Sequence, residues 1–439
     1  MSSGEICPEC NQKNTYYAWC EPCNSKHFQN DFNNWTSGND KIDKLIQDAQ
    51  LNAKYNYEVI EWIPYDRFKD VKQIGKGGFG TIHYARWIDG YIDNWDIENQ
   101  QWKRWDDNSE VALKKFDNFV NFNDVLNEME IHLKIHKGYD SIRFYGITQD
   151  PETNSYMMVL KYATDGNLRE YLKINFNNIN WTQKLYNLYR LSSNLMQIHK
   201  LDIVHQDFHP GNILSSNFKD SYYIAISDFG LSKLIGANPN NPEKKNIFGV
   251  LPYIAPEVLS GEEYTKAADV YSFGIIAYEM ITGFPPYPDI PHDKDLAIKI
   301  CNGLRPKIPF HTPKLITRMI MRCWDARVTH RPTFRELYYE LDKYSEDYND
   351  YLREGKNKDS EIVIQIKKAE EFSANQESNN ATTTTTTTTT TPLNYQTHPQ
   401  AIYTSRLLNY AKLPKPKNEE NFEKELEELT ESMSLLIRI

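Results

Sequence analysis

Two short polar motifs near the middle of the chain constrain its fold more than any other feature. The first, HQDFHPGN, occupies residues 205–212, and the second, DFG, occupies residues 228–230. Asp207, Asn212 and Asp228 supply carboxylate and amide oxygens, which are the ligands that Mg²⁺ prefers. A carboxylate five residues before an amide, followed by a second carboxylate ahead of a glycine, is the pattern needed to hold a metal-bound triphosphate beside a hydroxyl group.

A glycine-rich run upstream predicts a phosphate-binding turn. Residues 71–82, VKQIGKGGFGTI, have the pattern of a strand, a tight turn and a second strand. The glycines at positions 75, 77 and 80 would let backbone amides approach phosphates without an intervening side chain. The GxGxxG pattern alone is weak evidence, because dinucleotide-binding folds also use it, but there it opens a helix. Residues 81–85, TIHYA, instead continue as a strand.

Together these motifs resemble those of the protein kinase family, over residues 68–343. The resemblance implies an α+β, bilobal fold, with a small antiparallel β lobe plus one helix, a mainly α-helical large lobe, and ATP between the lobes. It implies an enzyme that uses ATP and Mg²⁺ to phosphorylate a protein substrate. The alternative is a pseudokinase scaffold that binds nucleotide or a partner without phosphotransfer.

The resemblance assigns a role to each polar residue of the two motifs. Asp207 would accept or orient the proton of the attacking hydroxyl. Asn212 and Asp228 would hold Mg²⁺ between the phosphates.

A lysine and a glutamate complete the expected catalytic set. Lys114 ends the VALK motif of residues 111–114 and would hold the α and β phosphates. Glu128 lies where the family places the helical carboxylate that pairs with this lysine. Glu130 is its competitor, but a helix places that residue about 200° around the axis from Glu128.

The resemblance also implies a nucleotide pocket lined by the glycine run, the lysine strand and residues 156–163, a strand that leads into the hinge between the lobes. Leu160 would limit the depth of this pocket. The implied nucleotide-binding residues are Gly75, Lys76, Gly77, Gly78, Phe79, Gly80, Ile82, Ala112, Lys114, Leu160, Lys161 and Ala163.

The residue before the catalytic aspartate departs from the family pattern. Most of the family carries arginine there, which can pair with a phosphorylated activation segment, but this chain carries Gln206. The sequence between Lys233 and Pro252 also contains no serine, threonine or tyrosine. We therefore expect a kinase of the non-RD type, whose activity does not depend on phosphorylation in the middle of this segment.

The type of residue that is phosphorylated is less clearly encoded. The His209-Pro210-Gly211 sequence follows neither the serine/threonine nor the tyrosine pattern, and His209 would either contact the γ-phosphate or be structural. The CWD motif of residues 323–325 ahead of Arg331 is typical of tyrosine kinases and of the tyrosine-kinase-like group. We expect a tyrosine-kinase-like protein with serine/threonine activity, with tyrosine or dual specificity as alternatives.

Two further motifs of the resemblance lie in the predicted large lobe. Glu257 ends an APE segment and would pair with Arg331 to fix the substrate platform. Asp269 and Gly274 match the DxxSxG signature of the central helix.

Four cysteines near the N-terminus predict a metal site. Cys7, Cys10, Cys20 and Cys23 form two CxxC pairs separated by nine residues. Two such turns can complete the tetrahedron that Zn²⁺ favours, and four protein ligands would make the site structural. Unliganded or redox-active cysteines are the alternative.

Composition divides the chain into four parts: a zinc-binding knuckle at 1–30, a connector with a helix over 41–54 at 31–67, the kinase domain at 68–343, and a charged tail at 344–439. Ten threonines at 382–391 predict a disordered linker. Apolar residues then recur at helical spacing, which predicts a short amphipathic helix that packs back on the globular domain or stays frayed, or else serves as a docking or self-association segment. They are Phe422, Leu426, Leu429, Met433, Leu436 and Ile437.

Charge and hydropathy limit the partners. A net charge of -10 argues against nucleic acid as the main partner. The most apolar stretch, 267–284, contains two carboxylates, which suits a buried helix better than a membrane span. The tryptophan-rich insert 87–109 predicts an extended hairpin whose rings cover each other and the small lobe, or form a partner surface. With no leader pattern and clustered cysteines, we expect a cytoplasmic protein.

Overall fold

A computed structural model describes residues 6–77, 80–116, 121–135, 141–234, 247–380, 397–410 and 412–434. The chain divides into two compact units, Met1–Ala163 and Thr164–Ile439. Several residues singled out in the sequence lie outside the described ranges, namely Gly78, Phe79, the threonine tract, Leu436 and Ile437.

The first unit combines eight described strands with three helices. The strands are β1 (Glu61–Trp62), β2 (Phe68–Lys76), β3 (Gly80–Trp87), β4 (Tyr91–Asp96), β5 (Gln101–Trp105), β6 (Ser109–Phe116), β7 (Phe144–Gln149) and β8 (Tyr156–Lys161). The helices are α1 (Glu21–Asp31), α2 (Asp40–Leu51) and α3 (Phe122–Ile135).

Six of these strands form one sheet in the order β1-β7-β8-β6-β3-β2. The neighbouring pairs β2–β3, β3–β6, β6–β8 and β8–β7 are antiparallel, as predicted. Strand β1 instead pairs parallel with β7, because it comes from the connector rather than from a hairpin. Alternate residues of the central strands point into a core that includes Ala85, Val111, Leu113 and Val159. This core fixes the register of β6, the strand that carries Lys114.

Helix α2 occupies most of the range in which the connector helix was predicted. The Asn39 side chain accepts hydrogen bonds from the backbone amides of Lys41 and Ile42, which caps the helix. Ile42 and Ile46 are buried on one face.

The tryptophan-rich insert forms the hairpin β4–β5, which packs on the cysteine-containing segment. Trp102 stacks on Phe28 of α1, with ring centroids 4.2 Å apart, and on Trp19 at 6.0 Å. Trp95 contacts Trp102 edge-on at 5.0 Å and stacks on His27 at 3.9 Å. The insert and the N-terminal segment therefore share one aromatic core within this unit.

The second unit is mainly helical. Its helices are α4 (Leu168–Asn175), α5 (Trp181–Lys200), α6 (Pro256–Leu259), α7 (Lys266–Thr282), α8 (Lys294–Cys301), α9 (Lys314–Cys323), α10 (Phe334–Glu354), α11 (Glu361–Asn380) and α12 (Phe422–Ser434). Its short strands are β9 (Ile203–Val204), β10 (Ile213–Ser215), β11 (Ile224–Ile226), β12 (Lys233–Leu234), β13 (Ile247–Gly249) and β14 (Arg406–Leu408). A sheet-based unit and a helical unit confirm the predicted α+β class.

Helix α7 is the buried helix that the apolar stretch predicted. Every residue from 268 to 282 is buried, including the carboxylates of Asp269 and Glu279. Gly274 allows the close packing of α9, because a Cβ there would lie 2.7 Å from Cys323 Cβ. Across the described ranges, every helix is too short or too polar to traverse a lipid bilayer.

The chain beyond residue 343 contributes to the second unit. The predicted domain boundary at residue 343 falls inside α10. Helix α11, beyond it, buries Ile362, Val363 and Ile366. Helix α12 packs on α9, with Phe422 buried and Arg318 Nε donating to Thr430 Oγ1 at 3.1 Å. Of the predicted arrangements for the terminal helix, its described part has the packed one.

Candidate active site

In the first unit, Lys114 and Glu128 form a buried ion pair. Lys114 Nζ donates to Glu128 Oε1 at 2.5 Å, and the two residues are 5% and 1% exposed. Glu130, about 200° around the helix axis from Glu128, is exposed. The predicted choice of Glu128 over Glu130 agrees with this geometry, since a carboxylate partner offsets the cost of burying the Lys114 ammonium.

The described glycines between β2 and β3 differ in how closely other atoms approach them. Gly77 N donates to Gly80 O at 2.8 Å and closes the turn. A Cβ built on Gly75 or Gly77 would meet no described atom closer than 3.8 Å, whereas one on Gly80 would lie 2.0 Å from Lys115 O. Gly80 is therefore required by strand pairing, whereas a Cβ at Gly75 or Gly77 would make only ordinary van der Waals contacts with the described residues.

Several predicted nucleotide-binding residues share one face of the sheet. Ile82 pairs with Lys114 across β3 and β6, and Ala112 pairs with Leu160 across β6 and β8. Directly opposed residues and alternate positions along a strand lie on the same face, so these four form one surface. Lys161 pairs with Val111 and points to the opposite face, so only its backbone could take part.

In the second unit, Asp207 and Asn212 are held together within the first polar motif. Asn212 Nδ2 donates to the backbone oxygen of Asp207 at 2.9 Å, and its distance to Asp207 Oδ2 is 3.5 Å. Both side chains are mostly buried, at 5% and 9% exposure. Because the amide nitrogen binds the loop, the carbonyl oxygen of Asn212 is the atom suited to coordinate a cation.

Asp269 anchors this loop from α7. Its carboxylate accepts the backbone amides of His205 at 2.9 Å and Gln206 at 3.2 Å, and it also contacts His199 Nε2 at 2.9 Å. Asp269 is fully buried. The DxxSxG motif thus has a structural explanation that its spacing alone did not provide.

His205 connects the two polar motifs. Burial lowers the pKa of His205, so the ring is neutral near neutral pH. Its Nε2 donates to Ser227 O at 3.0 Å, and its Nδ1 accepts the amide of Asp207 at 3.3 Å. The ring thus fixes the backbone of Asp207 relative to that of Ser227, the residue before Asp228.

Two residues of the motifs have left-handed backbone conformations. Gln206 has φ +68° and Asp228 has φ +62°. Such conformations are uncommon for residues other than glycine, and each costs on the order of 1–3 kcal/mol. The hydrogen bonds from Asp269 hold Gln206 in this conformation beside Asp207.

His209 has a structural contact and a polar edge. Its Nδ1 accepts the amide of Gly211 at 3.0 Å, so the neutral ring carries its proton on Nε2. Nε2 lies 3.6 Å from Asp207 Oδ1 and 3.1 Å from Ser405 Oγ. Ser405 was not predicted as a site residue, because it belongs to no recognised motif.

The end of the activation segment is fixed by an ion pair. Arg331 binds Glu257 through two hydrogen bonds of 2.7 Å, with the side chains 0% and 3% exposed. This is the pair that the sequence predicted. Gly249, just upstream, approaches the catalytic loop so closely that a Cβ would lie 3.3 Å from Asp207 Oδ1.

The four N-terminal cysteines form one cluster. Their sulfur atoms all lie within 4.8 Å of one another, with Cys7 and Cys23 3.8 Å apart and Cys10 and Cys20 3.5 Å apart. Burial raises the pKa of Cys20 to about 11 and also raises that of Cys23, where the neighbouring sulfurs add to the effect. Such a donor set fits a tetrahedral Zn²⁺, which would stabilise the thiolates that burial disfavours.

A family model described as protein tyrosine and serine/threonine kinase matches residues 68–341, well over half of the chain. Among curated relatives, the tyrosine-protein kinase SPK-1 of Girardia tigrina is 28% identical over 305 residues, which cover 68% of this chain and 54% of that protein. The serine/threonine-protein kinase VIK of Arabidopsis thaliana is 29% identical over 291 residues, covering 64% of this chain and 60% of VIK.

A third relative carries a different specificity in its name. The dual specificity protein kinase pyk3 of Dictyostelium discoideum is 26% identical over 318 residues, which cover 70% of this chain and 21% of pyk3. The chain thus spans less than two thirds of the length of each of these three relatives. Their names include tyrosine, serine/threonine and dual specificity.

Proposed function

The chain belongs to the protein kinase family, and on that premise we propose that it is an active enzyme that transfers the γ-phosphoryl group of ATP to a protein hydroxyl. The observation that carries this proposal is the buried Lys114–Glu128 ion pair, together with the hydrogen bond from Asn212 to Asp207 in the second unit. A pseudokinase has no need to retain all of these groups.

The first unit supplies the nucleotide-binding groups in this proposal. Lys114, oriented by Glu128, would bind the α and β phosphates, and the amides of the glycine turn would bind phosphate oxygens. Ile82, Ala112 and Leu160 would cover the base from one face of the sheet. The backbone groups of Lys161 and Ala163 would contact its polar edge.

The second unit supplies the groups for transfer. Asn212 and Asp228 would hold Mg²⁺, which when bound neutralises phosphate charge. Asp207 would accept a hydrogen bond from the acceptor hydroxyl and orient its oxygen for attack. Asp269 and His205 are positioning residues, since both act on the backbone of the catalytic loop.

A phosphotransfer assay with a matched pair of lysine variants tests the proposal. Lys114→Met should abolish phosphate transfer to casein and to the chain itself. Lys115→Met is the control, because Lys115 is adjacent on β6 but pairs with Asp150 at 2.6 Å. Equal signal from wild type and Lys114→Met would contradict the catalytic assignment, and nucleotide binding without any transfer would favour the pseudokinase alternative.

We further propose serine/threonine activity in the tyrosine-kinase-like group, of the non-RD type. The CWD motif and Gln206 support this placement, as does the absence of the tyrosine-kinase pattern after Asp207. Phosphorylation of a degenerate peptide library would test it. Transfer mainly to tyrosine peptides would contradict it.

We propose that the cysteine cluster binds a structural Zn²⁺. We also propose that the protein is intracellular and cytoplasmic, where thiols remain reduced. The cysteine-containing segment and the hairpin β4–β5 that stacks on it would then present a recruitment surface in signalling. Elemental analysis of the purified chain should give about one zinc per chain. A preparation without zinc in which this segment is still folded would contradict this assignment.

A further inference from the structure

The segment after the threonine tract brings a serine to the catalytic loop of the second unit. Ser405 Oγ donates to Asp207 Oδ2 at 2.5 Å, although the two residues are 198 positions apart. His209 Nε2 lies 3.1 Å from Ser405 Oγ. Asp207 is the residue to which an acceptor hydroxyl would bind.

The hydrogen-bond directions are determined by the surrounding groups. His209 Nδ1 accepts from Gly211 N, so Nε2 carries the ring proton and donates it to Ser405 Oγ. The hydroxyl proton of Ser405 is then directed at the Asp207 carboxylate. This is the arrangement in which a general base activates a hydroxyl.

The backbone that follows Ser405 binds as an added strand. β14 pairs antiparallel with β13 at the end of the activation segment, with Gly249 opposite Arg406 and Ile247 opposite Leu408. Leu408 is only 3% exposed. Strand addition to an exposed edge is a common way for proteins to bind extended peptides.

The residues before Ser405 are held as well. His292 N donates to Gln400 O at 2.9 Å, and His292 Nδ1 lies 2.9 Å from Ile402 O. The Tyr403 hydroxyl donates to Pro286 O at 2.9 Å, and the Arg169 guanidinium lies 4.6 Å from the centre of the Tyr403 ring. Contacts on both sides thus fix the serine at Asp207.

From this geometry we propose that Ser405 is a phosphorylation site, modified by its own chain, and that residues 398–410 occupy the site for peptide substrates. The proposal rests on the kinase activity proposed above. It identifies the substrate class as serine within an extended segment that adds to the β13 edge.

The transfer uses ATP as its second reactant. Ser405 Oγ forms a bond to the γ-phosphorus while the bond from that phosphorus to the β,γ-bridging oxygen breaks. The serine proton passes to the Asp207 carboxylate, which later releases it to water. The products are phosphoserine at 405 and ADP, which retains the bridging oxygen.

Phosphorylation should also change what occupies this site. The product carries about −1.5 to −2 charge at pH 7 and would lie against the Asp207 carboxylate. Repulsion between these groups favours departure of the segment. The unmodified segment therefore blocks other substrates, and the modified one admits them.

Peptide mapping after incubation with MgATP tests the site directly. The wild-type chain should gain phosphate at Ser405, and Ser405→Ala should lose that phosphopeptide. Thr404→Ala is the matched control, because Thr404 is the adjacent hydroxyl and is exposed. Its phosphorylation at Ser405 should match that of wild type.

Two measurements show whether the transfer is intramolecular. The rate constant should stay the same over about a hundredfold dilution, since the tethered serine has a far higher effective concentration than any free chain. A ¹⁵N-labelled Asp207→Asn chain mixed with unlabelled wild type should remain unmodified at Ser405. Modification of the labelled chain would overturn the intramolecular step.

Release of the segment should have opposite effects on the two substrates. Leu408→Asp, with Tyr403→Ala as a milder second variant, should lower phosphorylation of Ser405 and raise that of casein roughly tenfold. Casein phosphorylation without any phosphate at Ser405 in wild type would overturn this inference and leave the proposed function intact. No transfer to either substrate by any variant would overturn both.

Discussion

At the scale of single residues, the site depends on charges that are buried and paired. Lys114 and Glu128 form one such pair, and Arg331 and Glu257 form another. Removing one partner leaves an uncompensated charge away from water, which costs far more than the loss of a surface pair. Lys184 differs, since its buried ammonium donates to the backbone oxygen of Ile281 at 3.1 Å and lies over the rings of Phe176 and Trp181, at 4.3 and 5.2 Å from their centroids, rather than beside a carboxylate.

Glu257→Gln should destabilise the second unit by about 3–5 kcal/mol, because it removes the carboxylate from a fully buried Arg331. Asp202→Asn is the matched control, since it breaks the exposed Lys266–Asp202 pair and should cost at most about 1 kcal/mol. Urea denaturation of both variants measures the difference. Similar midpoints for the two would show that the buried pair contributes no more than a surface one.

Lys184 should make stability depend on pH in the alkaline range. Burial lowers the pKa of Lys184 from 10.5 to about 8. Between these values the unfolded chain binds more protons than the folded one, so stability rises as pH increases from about 8 toward 10.5. At pH 7 the buried ammonium carries its full cost, so Lys184→Met should be more stable by about 1–3 kcal/mol.

The test is to compare wild type and Lys184→Met by urea denaturation at pH 7 and at pH 9.5. The advantage of the variant should shrink at the higher pH. An advantage that is constant with pH would contradict the assigned cause.

At the scale of elements, the hairpin β4–β5 and the cysteine segment stabilise each other. Trp102 contacts Phe28, Trp19 and Trp95, whereas Trp105 on the same strand is 64% exposed. A two-stranded hairpin is only marginally stable in water on its own. Packed together, the hairpin and the cysteine segment bury their aromatic rings.

Trp102→Ala should therefore destabilise the segment that contains the cysteine cluster and α1 by about 2 kcal/mol, through the loss of aromatic contacts. Trp105→Ala, on the same strand, should change stability by no more than about 0.5 kcal/mol. Hydrogen exchange of the α1 amides would report the effect locally. Equal exchange in the two variants would show that the stacking does not stabilise this segment.

The sequence predicted those contacts that depend on local spacing. Helical periodicity distinguished Glu128 from Glu130, whereas the pairing of Arg331 with Glu257 came from the family resemblance and not from spacing. Contacts between distant segments have no such signal, as the contact between Ser405 and Asp207, 198 positions apart, illustrates. The anchoring of the catalytic loop by Asp269 also depends on how α7 packs, which periodicity does not specify.

At the scale of the whole molecule, the chain carries its own candidate substrate in place of an activation-segment acceptor. Residues 233–252 contain no hydroxyl side chain, and Gln206 cannot pair with a phosphate as arginine would. Control of access would then belong to residues 398–410. The described part of this segment is held by β13 and His292.

Phosphatase treatment of the Leu408→Asp variant should leave its activity on casein within about twofold, because no phosphate is needed in the activation segment. This variant is used because the substitution itself releases residues 398–410, so removing phosphate from Ser405 cannot restore the block. A large loss of activity would reveal a phosphorylated residue that this account lacks.

The most direct test of phosphotransfer is a single-turnover measurement with Asp207→Asn, using Asp202→Asn as the control. Asp207→Asn should bind MgATP like wild type but transfer phosphate at least about 10²-fold more slowly, since it loses the group that orients and deprotonates the hydroxyl. Asp202→Asn should match wild type. A rate for Asp207→Asn equal to that of wild type would contradict the central claim.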